Sequence, residues 1–201
     1  MTETTEKKKK LQGKDLTRMI VIVAMLAALS YVCFSFIQFK IPIGGGDYTS
    51  LHLGNMVPVL GALLFGGVWG GLGGSIGMTI GDLFDPVYVV YAPRTFVLKF
   101  FIGLITGLVA HKGFKIKTIP AGKKRTVATL VSAFCGLAFN AIVEPIFKYF
   151  YAILVLGKPA AEVTLAWNIA ACVINGVVSL VVATLLYLAL RPALEKAKLL
   201  K

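Results

Sequence analysis

Charge is scarce in this chain. Only 15% of its 201 residues are Asp, Glu, Lys or Arg, against about 25% in an ordinary soluble domain. That scarcity, set beside 57% apolar residues and a mean hydropathy of +0.82, excludes a typical water-soluble globule. It points to a membrane protein of one domain. Several motifs are missing too. No GxxxxGK[ST], HExxH or CxxC occurs, so the chain carries no phosphate loop, zincin helix or paired-thiol motif. Asp82 and Asp85 form a DxxD, but two carboxylates without further acidic ligands make a thin magnesium site. An enzyme, a resident cofactor and a metal centre are therefore not expected. The regular arginine ladder of a voltage sensor is absent. So is a clear internal repeat of the kind that builds many secondary transporters. The three cysteines, Cys33, Cys135 and Cys172, lie in apolar runs without metal-ligand spacing and read as small core residues.

The charge that is present is mostly positive and mostly clustered. Net charge is +12. Sixteen of the 21 Lys and Arg fall in three segments: Lys7–Lys10 with Lys14 and Arg18, then Lys112–Arg125, then Arg191–Lys201. Such segments, lying between long apolar runs, stay in the cytoplasm. They suit topology and contact with anionic lipid better than nucleic-acid binding. The remaining five, Lys40, Arg94, Lys99, Lys148 and Lys158, then lie toward the outside.

Taken in order, residues 1–14 read as a basic cytoplasmic tail, 15–192 as a membrane domain and 193–201 as a second basic tail. The expected fold is an all-α integral membrane bundle of six transmembrane helices with both termini cytoplasmic. Helix 1 is expected over Asp15–Gln38, with no cleavable signal because its apolar stretch is too long. Ala24 and Ala28 stand one turn apart on it, a small-residue face that lets another helix approach. Lys40–His52 is expected as an outer loop, made adaptable by three glycines. Helices 2 and 3 are expected over Leu53–Val68 and Gly70–Leu83. Gly66, Gly70 and Gly74, and also Gly73, Gly77 and Gly81, give them close-packing faces. Helix 4 is expected over Pro93–Ala110, with His111 as an interfacial residue. Helix 5 runs from about Arg125 to Leu156 with a kink at Pro145. Helix 6 runs over Val163–Leu190. Asn140, Glu144 and Lys148 are spaced by four on one face, and a Glu144–Lys148 pair is one reading of them. Asn168 and Asn175, seven apart, share another face.

The stretch Tyr48…LHLGN…GALLFGGVWGGLGGSIGMTIGDLF…YAPRTFVLKFFIGLITGL resembles the integral-membrane substrate-binding (S) components of energy-coupling factor (ECF) vitamin transporters. The likeness extends over about Arg18–Arg191 and is strongest from Tyr48 to Leu108. It implies capture of a water-soluble vitamin near the outer face, beneath the loop joining helices 1 and 2. It also implies partners: a membrane coupling subunit, contacted by an AxxxA motif that Ala24 and Ala28 match, and two ATPase subunits. The implied location is a multi-pass position in a prokaryotic plasma membrane.

Polar groups on the outer side are the candidate vitamin contacts. They are Asp47 and His52 in the loop, Asn55 at the start of helix 2, and Asp82, Tyr88, Tyr91, Arg94 and Lys99 around helix 4. Asn140, Glu144, Trp167, Asn168 and Asn175 complete the set from helices 5 and 6. Aromatic rings would stack on a planar heterocycle, and amides and carboxylates would read its nitrogens and hydroxyls. Some charges have an alternative use in pairing with one another, such as Arg94 with Asp82 or Asp85. Within that family the sequence looks more like the members assigned to hydroxymethylpyrimidine or pyridoxine, so the resemblance implies one of these as ligand, followed by pantothenate, its carboxylate held by Arg94 or Lys99, or riboflavin. A stand-alone secondary transporter or channel for a small solute is the alternative function.

Overall fold

A computed structural model describes residues 2–44, 47–155, 157 and 161–200, with side chains over a slightly smaller set. The described residues form six α-helices and one β-hairpin. These are α1 (Thr2–Ser35), β1 (Gln38–Gly44), β2 (Asp47–His52), α2 (Met56–Phe65), α3 (Gly67–Leu83), α4 (Ala92–Gly107), α5 (Lys123–Leu154) and α6 (Ala161–Lys196). Four spans are long and apolar enough to cross a membrane: Asp15–Ser35, Val89–Gly113, Lys123–Leu154 and Thr164–Lys196. The protein is thus a predominantly helical, multi-pass membrane protein.

Its surface inverts the pattern of a soluble protein. Large apolar side chains such as Leu154 (77% exposed), Ile142 and Leu185 face outward, while Lys99 (2% exposed), Asn140 and Asn168 are buried. Lipid accepts the apolar exterior, and ionisable groups in a bilayer face the bundle interior.

Helix α3 lies at the centre and packs against α1, α2 and α4. Its glycines permit this. A Cβ on Gly70 would stand 2.0 Å from the Ala62 amide nitrogen on α2, and one on Gly77 would stand 2.1 Å from the Ala27 carbonyl oxygen on α1. Backbones this close leave no room for any side chain. Ser30 Oγ adds a hydrogen bond across the α1–α3 contact, donating to the Gly74 carbonyl at 2.8 Å.

Three boundaries differ from the sequence expectation. The break between α2 and α3 falls at Gly66, whose φ of 106° suits glycine, so α3 starts at Gly67 and α2 is only 10 residues long. The segment before Asp15 continues α1 back to Thr2. Helix α4 ends in a π-helical turn, Leu108–Gly113. Helix α5 runs on past Pro145.

The expected outer loop is instead an antiparallel hairpin. Lys40 pairs with Ser50 and Gln38 with His52. Two runs carrying β-branched residues, Ile41 and Ile43 on one side and Thr49 on the other, flank the glycines and satisfy their backbone groups in a ladder. The fold is therefore helical with one small sheet rather than purely α.

Gly73-Gly74-Ser75-Ile76-Gly77 also spells GxSxG, the pattern of a hydrolase nucleophile elbow. It lies inside α3, and buried Ser75 donates to the Leu72 carbonyl at 3.2 Å. The elbow requires a strand-to-helix turn that exposes the serine, so the match has no chemical meaning here.

Candidate functional site: a polar cavity beneath the hairpin

Side chains from six elements converge on one cavity at the hairpin end of the bundle. It is lined by Phe34 from α1, Tyr48, Thr49, Ser50 and His52 from β2, and Met78 and Asp82 from α3. Tyr88, Tyr91, Arg94, Thr95 and Lys99 join from the α3–α4 connection and α4, Glu144, Pro145 and Lys148 from α5, and Asn168, Ala171, Cys172 and Asn175 from α6.

A buried ion network forms its inner wall. Lys99 Nζ donates to Glu144 Oε2 at 2.6 Å and to Asn140 Oδ1 at 3.1 Å. Asn140 Nδ2 donates to the same carboxylate oxygen at 2.7 Å. Arg94 Nη2 stands 3.9 Å from Glu144 Oε1. Glu144 therefore serves two cations from α4, and Lys148, one turn further along α5, turns elsewhere. It donates to Asn168 Oδ1 at 2.9 Å and to the Tyr48 carbonyl at 3.1 Å. Neither a Glu144–Lys148 pair, one reading of that spacing, nor an Arg94–Asp85 pair appears among the described ion pairs; Asp85 meets Lys40 of β1 at 2.5 Å. Both ammonium groups are buried, Lys99 at 2% and Lys148 at 7% exposure, and each requires partners: Lys99 has the carboxylate, and Lys148 has the Asn168 and Tyr48 oxygens within reach. Asp82 is buried and hydrogen-bonded to Thr95.

Aromatic rings complete the wall. Tyr91 has the Arg94 guanidinium 4.9 Å and the Lys148 ammonium 5.5 Å from its ring centre. Lys40 stands 5.5 Å from the Tyr88 ring centre. All three distances suit cation–π attraction. The Nε and Nη1 of Arg94 have no hydrogen-bond partner among the described residues. They are buried donors on a side chain that lines the cavity.

The hairpin is clamped over the cavity by α6. His52 N–H donates to Asn175 Oδ1 at 3.0 Å, and Asn175 Nδ2 donates to the Ser50 carbonyl at 2.9 Å. One amide thus satisfies the edge of β2 as another strand would. His52 itself is held as a neutral ring. Burial pushes its pKa down to about 3. Gly54 N–H donates to its Nδ1 at 3.1 Å, which leaves the proton on Nε2. The ring meets Phe34 edge-on at 4.9 Å.

Of the residues anticipated from sequence, the structure gathers His52, Asp82, Tyr88, Tyr91, Arg94, Lys99, Glu144, Asn168 and Asn175 around this one space. Asn140 is buried behind the wall and orients Lys99 and Glu144 without lining the cavity. Asn55 is buried at the start of α2 and also lies outside the lining. The side chain of Asp47 lies outside the described residues. Trp167 is a correction: it is 55% exposed and points away from the cavity. It is one residue, or about 100° of helix, from Asn168, so the two cannot share a face. An outward tryptophan suits the membrane–water interface. Sequence reasoning passed over Phe34, Met78, Pro145, Ala171 and Cys172, which carry no polar signature that separates them from lipid-facing residues, and also Tyr48, Thr49, Ser50 and Thr95, whose hydroxyl-bearing side chains are as common in plain loops and helices. Lys148 was not among the candidate contacts, a pair with Glu144 being one reading of it, and it lines the cavity.

The whole arrangement is a polar cavity in a membrane protein, with donors, acceptors and rings enclosed at one end of a helical bundle. A model of the ECF-type riboflavin transporter S component family matches residues 14–192. The chain belongs to that family. It is a transporter component and not an enzyme, and S components of this kind bind vitamins and work with an ECF module of a membrane subunit and ATPases. No curated protein and no solved structure matched the chain.

Proposed function

We propose that this chain captures riboflavin, or a smaller planar heterocyclic vitamin, in the cavity beneath the hairpin and delivers it through an ECF complex. The observation that carries this reading is the lining itself. Buried donors (Arg94, Lys99, Lys148), acceptors (Asp82, Glu144) and aromatic rings (Tyr88, Tyr91) share one enclosed space. Such a mixture suits an uncharged, polar, ring-bearing solute. In this reading the rings stack on the heterocycle, Arg94 Nε and Nη1 donate to its carbonyl groups, and His52 Nε2–H supplies a neutral donor. Asn140 and Asn55 act from behind, and Asp47 at the hairpin tip belongs to the lid. The family name favours riboflavin. One observation favours a smaller vitamin, the planar hydroxymethylpyrimidine or pyridoxine ahead of the acyclic, anionic pantothenate: the open space is about 60 Å³, room for a few waters. Riboflavin entry therefore requires the hairpin to lift from Asn175 and Lys148.

The proposal includes a topology of six membrane passages, with α2 and α3 as short buried passages and both termini cytoplasmic, in a prokaryotic plasma membrane. Ala24 and Ala28 are exposed on α1 and offer a small-residue face to the coupling subunit. The test is mass spectrometry of the small molecule that copurifies with the protein, followed by calorimetric titration with riboflavin and each smaller vitamin. Binding of one of them tighter than about micromolar is expected; if none binds that tightly, the capture reading fails. Vitamin flux into liposomes without any ATPase would instead support the stand-alone transporter.

A further inference from the structure

The opposite end of the bundle carries a larger opening. Where α2 gives way to α3 and α4 ends, a groove of about 580 Å³ runs between the helices. Its floor is apolar and includes Phe65, Leu104 and Leu108. Its rim is cationic, formed by Lys112, Lys115 and Lys117. No acidic side chain lines it among the described residues.

The rim is held in place. Ile116 is fully buried between two of the lysines. Arg191 on α6 donates to the Ile116 carbonyl at 3.0 Å and to the Lys117 carbonyl at 3.1 Å. Arg125 donates to the Ile119 carbonyl at 2.6 Å through Nη2. His111 Nε2 donates to the Ala62 carbonyl at 2.9 Å, bracing the π-helical turn against α2. The segment is thus an ordered presentation of ammonium groups above an apolar trough.

Charge and shape together choose the occupant. A free phosphate would pair with the rim and leave the trough unfilled. An uncharged lipid would fill the trough and bring no counter-charge to Lys112 and Lys115. A molecule with an anionic head and an acyl tail satisfies both halves. We propose that this groove binds one anionic phospholipid, its phosphate against Lys112 and Lys115 and its acyl chain along Phe65, Leu104 and Leu108. The site lies at the far ends of α3 and α4 from the vitamin cavity, so the two bind independently.

The test uses the full chain in detergent, stripped of lipid and returned to phosphatidylglycerol or phosphatidylcholine, with bound lipid read by native mass spectrometry. Wild type and the control K123Q/K124Q are expected to retain phosphatidylglycerol and not phosphatidylcholine. Retention by K112Q/K115Q is expected to drop by about tenfold or more, since each lysine near an anionic headgroup contributes on the order of fivefold. Leu108→Glu, which puts a carboxylate on the exposed floor, is expected to expel the lipid by itself. Equal retention by either variant, equal retention of phosphatidylcholine, or displacement by inorganic phosphate alone overturns the assignment.

Discussion

The contact of α3 with its neighbours and the contact of the hairpin with α5 and α6 hold the molecule together in opposite ways. Around α3, glycine lets backbone lie against backbone at Gly70, Gly71 and Gly77, and lets Leu26, Pro58 and Phe34 press directly on the helix at Gly73, Gly74 and Gly81. Under the hairpin, contact is made by the tips of long polar side chains: Lys148, Asn168 and Asn175 reach the backbone of β2 or each other. The first kind of contact has one arrangement only, because interiors packed this closely do not deform continuously. The second kind can exchange one partner for another, since each neutral bond in the set has a net worth of about 1 kcal/mol and each bond of the Lys148 ammonium about 1.5–3 kcal/mol. A carrier that must close over a ligand and release it needs a body of the first kind and a lid of the second.

Substitutions can break this contrast at its strongest point. Gly77→Leu would drive a side chain into the Ala27 carbonyl and the Tyr31 amide of α1. Neither is a flexible group, so the expected result is loss of folded protein, read as aggregation on size-exclusion chromatography. Next comes the ion network. Glu144→Ala leaves Lys99 and Arg94 buried without their carboxylate, at a cost of about 3–5 kcal/mol. A large fall in melting temperature and loss of vitamin binding are expected; a melting curve like that of wild type would refute the network's role.

Smaller effects belong to the lid. Asn175→Ala removes both bonds to β2 and is expected to cost about 1–3 kcal/mol. Amide exchange should quicken in residues 48–52 while α3 stays protected. Equal quickening in both would erase the distinction drawn above. A pH effect follows from His52, whose folded pKa lies near 3. The unfolded chain takes up a proton near pH 6.5 while the folded chain does not, so stability declines as pH falls through that window. Between pH 7 and 5.5 the loss is about 1 kcal/mol, and His52→Gln should abolish that slope. Smallest of all is Trp167→Ala: with its ring facing lipid, vitamin affinity should change by less than about twofold, well under 1 kcal/mol. A tenfold loss would return Trp167 to the site.

Much of this was legible along the chain. The apolar runs locate the helices, and the fourfold glycine spacing marks α3 as the closely packed helix. Polar residues with no reason to meet lipid are nearly the same set that lines the cavity. Less legible were the apolar members of the lining, Phe34, Met78 and Ala171, because lipid and a vitamin ring call for the same residue types. Register within a helix separates Trp167 from Asn168 only once one of the two is known to face inward.

Sequence alone therefore determined that this is a helical membrane protein, where its helices approach most closely, and which polar groups must be sheltered from lipid. Those follow from composition and period, which act locally. Tertiary structure decided which charge meets which: Glu144 takes Lys99 and Arg94 from α4 rather than its own helical neighbour Lys148. It also decided that the glycine-rich connection becomes a hairpin clamped by Asn175, and that the basic segment after α4 becomes the rim of a groove. Those outcomes depend on which buried group has no other partner within reach, and that is fixed only when distant segments of the chain are packed together.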